Sequence, residues 1–138
     1  AFRAAAEAVT HESGYVSTVT QNSMTALFGV LPSGATPQTH AIRAVRAAAE
    51  ALRSVSGKDG EVAPVGVGIA TGFVSAGIVS VAGGRMFVAV GECLERAERL
   101  AREAGAGRVL VDVATLKVAG ENGVGFVADG DAFALDLK

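Results

Sequence analysis

Ser13-Gly14-Tyr15-Val16-Ser17-Thr18-Val19-Thr20-Gln21-Asn22-Ser23-Met24-Thr25-Ala26-Leu27-Phe28-Gly29 is the stretch whose reading decides the fold. Residues 15–20 alternate apolar and polar side chains, residues 24–30 are largely apolar, and Gln21-Asn22-Ser23 stand between them. A period of two puts one face of a strand on a core. Two such runs with a short polar break between them predict an antiparallel hairpin, although the break lacks the glycine that tight hairpin turns favour.

Upstream, Phe2, Ala5, Ala6 and Val9 recur at helical spacing, so the chain opens on the end of a helix. Downstream, residues 31–37 form a loop in which Thr36 is placed to cap a helix with Pro37 at its first position. That helix runs to about Val55 and buries Ile42, Val45, Ala49 and Leu52. Residues 56–61 form a polar turn. Residues 65–71 are a strand, and Gly66, Gly68 and Gly72 point to close backbone approach. Ala82-Gly83-Gly84 is a turn before a strand at 86–90.

A second decisive stretch, Val90-Gly91-Glu92-Cys93-Leu94-Glu95-Arg96-Ala97-Glu98-Arg99-Leu100, reads as a strand entering a helix that continues to Ala104 and stops at Gly105. A short strand at 109–111, a short helix at 112–118 and a hairpin closing around Asp129-Gly130-Asp131 complete the chain. Strands and helices mix without a strict alternating repeat, and the hairpins imply antiparallel pairs. The expected class is α+β, one mostly antiparallel sheet with helices packed against it.

The 138 residues make a single domain, 1–138, with no internal repeat or interdomain linker. Half the residues are apolar and few are aromatic, so Val, Leu, Ile and Ala build the core. A net charge of −2 gives no electrostatic reason for nucleic acid or an anionic membrane as partner. Cys93 is the only cysteine, which excludes an internal disulfide or a cysteine metal cluster and fits a reducing, cytoplasmic compartment. No apolar run reaches the roughly 18 residues of a membrane helix, and the marks of a signal peptide are missing. Ala1 to Val9 already reads as mid-helix, so the chain is expected to be part of something longer.

Several blocks, in order, resemble the class III adenylyl and guanylyl cyclase homology domain. They are Gly14-Tyr15-Val16 leading to Ala26-Leu27-Phe28-Gly29, His40-Ala41, and Ala44-Val45-Arg46-Ala47. Next come Val67-Gly68-Ile69-Ala70-Thr71-Gly72 with Ala76-Gly77, then Arg85 five residues before Val90-Gly91. Ala97, Arg99-Leu100, Gly107-Arg108-Val109-Leu110-Val111 and Ala114-Thr115 close the series. The resemblance implies a ferredoxin-like core that pairs head-to-tail, as a homodimer or heterodimer, with sites at the shared interface. It also implies that the family's first strand precedes Ala1.

The family's reaction is attack of a ribose 3'-hydroxyl on the α-phosphate with loss of pyrophosphate. It uses two Mg or Mn ions on two Asp carboxylates, a purine-reading Lys and Asp, a ribose-orienting Asn and an Arg that neutralises the pentavalent phosphate. By the resemblance, the first metal Asp falls before this chain and the second falls on Asn22, whose single neutral amide oxygen does not replace a carboxylate bridging hard cations. The purine-reading Lys falls on Thr18, the purine-reading Asp on Glu92 and the ribose Asn on Glu95, where a carboxylate repels a triphosphate. The transition-state Arg is retained as Arg99. No metal ligand set and no cofactor is therefore expected.

Each residue also has a local reading. Glu92 with Arg96, Glu95 with Arg99 and Glu98 with Arg102 form a ladder of i,i+4 pairs. Glu92 is a favoured acid at a helix N-terminus, Asn22 a turn residue. His11 and His40 have no partner nearby in sequence at metal spacing. Cys93 is a small helix residue whose place at a helix start lowers thiol pKa values. The leading expectation is a degenerate cyclase homology domain with a regulatory, dimerising or ligand-sensing role in a larger bacterial signalling protein. The alternatives are an active cyclase subunit contributing Arg99 to a shared interface, and a ferredoxin-like module for another small molecule or a protein.

Overall fold

Residues 2–29, 37–55, 65–120 and 124–136 are described by the computed structural model of the chain. The expected Thr36 cap and the turn at 56–61 lie outside them. The order is α1 (Phe2–His11), β1 (Tyr15–Val19), β2 (Met24–Leu27), α2 (Pro37–Val55), β3 (Val67–Ile69), β4 (Ser75–Val81), β5 (Gly84–Val90), α3 (Glu92–Ala104), β6 (Val109–Val111), α4 (Val113–Gly120), β7 (Phe126–Asp129) and β8 (Ala132–Leu135). The α+β class holds.

The single expected sheet is divided. Among the described residues there are three: β1-β2, β3-β6-β8-β7 and β4-β5. Within the largest, β3 pairs with β6 in parallel and β8 pairs antiparallel with both β6 and β7. The parallel pair follows from the connection, because the chain from β3 to β6 passes through α3 before returning.

The three residues of β6 organise the core. Val109 and Val111 pack with Val45, Ala48 and Leu52 of α2, Ile69 of β3 and Ala119 of α4. Leu110, between them, packs on the opposite side with Leu100 and Ala104 of α3 and Ala132 of β8. Side chains alternate across a strand, so three consecutive apolar residues serve two cores at once. Each fully buried Val or Leu contributes about 1.5–3 kcal/mol. In α2 the buried positions are Ala41, Val45, Ala47, Ala48 and Leu52, while the expected Ile42 and Ala49 are half-buried.

Glycine fixes how closely α3 lies on β3. A Cβ on Gly68 would stand 2.1 Å from the carbonyl oxygen of Ala97 and 2.4 Å from the nitrogen of Ala101. One on Gly66 would stand 2.7 Å from the carbonyl oxygen of Ala101. The helix therefore rests on bare strand backbone, the close approach predicted from the glycine spacing. Gly105 ends α3 with φ of 75°, as its position after the last helical residue predicts.

The strand β4 has no counterpart in the sequence reading. It pairs along its whole length with β5 from Ser75↔Val90 to Val81↔Gly84, and every one of its residues is exposed. This register puts Val79, Val81, Met86 and Val90 on one face of the two-stranded ribbon, each exposed. On the other face Phe87 meets Tyr15 of β1, ring centroids 4.7 Å apart, which ties the ribbon to the first hairpin.

Candidate functional site

The turn between β1 and β2 is built by a hydroxyl. Thr20 Oγ1 accepts hydrogen bonds from the backbone N–H groups of Asn22 (3.3 Å) and Ser23 (3.0 Å) and lies 2.8 Å from Ser23 Oγ. This side-chain-closed turn makes the missing glycine unnecessary. Asn22 is at its exposed tip. Thr18 is exposed on β1 and pairs with Thr25, just after a register shift that begins at Val16.

A pair of hard divalent cations needs carboxylates. Between Glu12 and Glu50 the sequence holds no Asp or Glu, so the entire hairpin is without one. Asn22 offers only an amide oxygen. The donor set of this hairpin does not fit a two-metal site.

Helix α3 carries the other candidate residues. Glu92 and Glu95 are exposed in its first turn. Arg99 is exposed one turn further on and lines an open groove between α3, α4 and the β7–β8 turn, together with Glu103, Lys117 and Asp131. Thr18 and Asn22 are not part of that groove. Nor are Glu92 and Glu95, so of the sequence-derived candidates Arg99 alone lines it.

The expected Glu–Arg ladder forms at one rung only. Arg102 pairs with Glu98 at 3.2 Å. Arg96 turns away from Glu92 and donates from Nε to Asp112 Oδ2 at 3.0 Å and from a terminal nitrogen to the Thr71 carbonyl at 3.3 Å. Arg99 has no ion-pair partner among the described residues. The reason is burial. Asp112 and Arg96 are mostly covered, so their charges attract more strongly than an exposed pair on the helix surface.

Asp112 is the hub of this region. Its Oδ1 accepts from the backbone N–H (2.9 Å) and hydroxyl (2.7 Å) of Thr115, capping α4, and its Oδ2 accepts from the Thr71 N–H at 3.3 Å. Thr115 is fully buried, and its hydroxyl also lies 2.7 Å from that of Thr71. Spacing along the chain marks Asp112 as a candidate cap three residues before Thr115, but its bond to Arg96 depends on the fold.

Cys93 is a buried residue of α3, in keeping with its reading as a small helix residue. Its place at the start of α3 suggests a lowered thiol pKa, but burial raises it, against a smaller opposing pull from Arg96. At His40 the charged form is disfavoured. Its Nδ1 receives a hydrogen bond from Arg43, and burial followed by the Arg43 charge lowers its pKa. His11 has no ligand at metal spacing in the sequence. Its Nδ1 instead lies 3.4 Å from Glu50 Oε2 and 3.9 Å from Glu12 Oε2.

No protein-family model and no curated protein sequence matches the chain. Solved structures do match. The guanylyl cyclase Cya2 is 26% identical, with a TM-score of 0.73 over 97% of this chain and 74% of the other. A dimeric guanylyl cyclase domain of the RhoGC fusion protein from the aquatic fungus Blastocladiella emersonii is 15% identical, with a TM-score of 0.81 over 97% and 78%. The adenylyl cyclase CyaB from P. aeruginosa is 16% identical, with a TM-score of 0.79 over 98% and 78%. These adenylyl and guanylyl cyclase domains share the fold of this chain, and the ordered sequence blocks run through the same architecture.

Proposed function

We propose that this chain, folded as a class III nucleotidyl cyclase homology domain, does not itself catalyse cyclisation and acts as a dimerising, regulatory or ligand-sensing module. The observation that carries the reading is the hairpin without carboxylates, with Asn22 where the family's second metal Asp falls. A triphosphate brings several negative charges, and divalent cations are what offset them at such a site. Exposed Glu92 and Glu95 add further repulsion. The test is calorimetric titration with Mn²⁺ and a non-hydrolysable analogue of ATP or GTP. No cation-dependent nucleotide binding is expected. Saturable binding that requires Mn²⁺ and disappears in Arg99→Ala would contradict the proposal.

The dimerising role is supported by the β4–β5 ribbon, whose exposed Val79, Val81, Met86 and Val90 form one apolar face. A second copy of this chain is the occupant we assign to it, in line with the dimeric fungal domain of the same fold.

A second reading rests on Arg99. A guanidinium with no ion-pair partner among the described residues, lining an open groove, is available to a triphosphate whose metals a different cyclase chain supplies. Mixing this chain with such a partner would then raise turnover, and Arg99→Ala would abolish the gain.

A further inference from the structure

The last residue of α1, the turn that follows it and the C-terminal half of α2 bring together one imidazole and two carboxylates. We propose that His11, Glu12 and Glu50 form a binding site for a zinc-class divalent transition metal ion, independent of the nucleotide-site reading above.

Three observations carry it. The first is spacing. Nδ1 of His11 lies 3.4 Å from Glu50 Oε2 and 3.9 Å from Glu12 Oε2, and one ligand atom from each of the three residues falls within 4.8 Å of the others. In a tetrahedral site with bonds of about 2.0–2.2 Å, neighbouring donors stand roughly 3.3–3.6 Å apart. The two distances from the imidazole nitrogen, 3.4 and 3.9 Å, lie close to that separation.

The second is the setting of Glu12. Its side chain is only 18% exposed, and among the described residues His11 is the only cation within reach of its carboxylate. A mostly covered carboxylate without a strong cationic partner carries a desolvation cost that a bound cation offsets. Arg43 donates to the backbone carbonyl oxygens of Glu12 (2.9 Å) and Ser13 (3.3 Å), and so fixes the corner from α2 without neutralising the side chain.

The third is the donor chemistry. Two carboxylates and a neutral imidazole carry a charge of about −2, which a divalent ion balances, and the nitrogen ligand favours zinc-class ions over Mg²⁺ or Ca²⁺. Three protein ligands leave a coordination position to water. His11 is 72% exposed, so the ion has an open path from solvent. The ligands come from the end of α1, the turn after it and α2, so the ion would clamp the α1 terminus to α2.

The experiment titrates the purified chain with Zn²⁺ by calorimetry and with Co²⁺ by visible absorption. About one equivalent is expected to bind, with a ligand-field spectrum that includes a nitrogen donor and is not displaced by a roughly hundredfold excess of Mg²⁺. Glu50→Gln and His11→Gln should each weaken binding at least about tenfold. Their far-UV circular dichroism should stay unchanged, since both side chains reach solvent. Glu98→Gln, an exposed carboxylate on α3, should leave affinity unchanged. Zn²⁺ should raise the melting temperature of the parent chain and not of Glu50→Gln. Binding that survives both ligand substitutions, or no binding up to millimolar metal, would overturn the site and leave these residues as an imidazolium–carboxylate ion pair.

Discussion

Gly68 carries more of the architecture than its size suggests. With a Cβ position 2.1 Å from the Ala97 carbonyl oxygen, nothing larger than hydrogen fits between β3 and α3. Gly68→Ala should lower stability by about 3 kcal/mol, because the obstacle is helix backbone and not a side chain that can rotate away. A shift of the urea midpoint at unchanged slope measures it. His40 gives a pH signature. Its pKa is lowered by burial and by Arg43, so the native state binds the proton less readily than the unfolded chain. Its stabilising contribution is present above the unfolded value of 6.5 and is lost as pH falls through the lower folded value. Melting temperature should therefore decline on acidification from about pH 7, and His40→Gln should flatten that decline relative to the parent chain.

The elements divide by whether their pattern is local. The helices α2 and α3 were legible because each buries one face and so carries a period near 3.6, and the two hairpins because apolar runs flank a short polar turn. The strand β4 was not, because neither face is buried, and Ser75-Ala76-Gly77 has neither the alternation nor the β-propensity that marks a strand. The division of the sheet was equally hidden, since strand order is a property of the fold and not of any segment. The same limit explains the site residues. The absence of acids from the first hairpin was readable in the sequence, whereas Arg96 choosing Asp112 over Glu92, or His11 meeting Glu50, required contacts 16 and 39 residues apart. At the start of α3, burial and helix position act on Cys93 in opposite directions, and burial is the larger. Alkylation of Cys93 should follow a pH profile with its midpoint above 9.0, and a midpoint well below this would show that the helix terminus prevails.

Over the whole molecule, two surfaces are offered to a second chain. The ribbon presents an apolar face, and α3 presents exposed Glu92, Glu95 and Arg99. Apolar side chains on a paired ribbon cost little to expose singly but form a contiguous contact when they share a face. Met86→Asp should weaken self-association at least about tenfold in sedimentation equilibrium while leaving the circular dichroism unchanged, since Met86 is about half exposed and outside both core clusters. Fold and chemistry are separate questions in this chain: β6 organises both core clusters, while the first hairpin has no acid. The most direct measurement is cyclic nucleotide production by the purified protein from ATP and from GTP with Mg²⁺ or Mn²⁺. Our account predicts no product above the protein-free background under any of these conditions. Steady turnover that depends on the metal and falls on Arg99→Ala would contradict it.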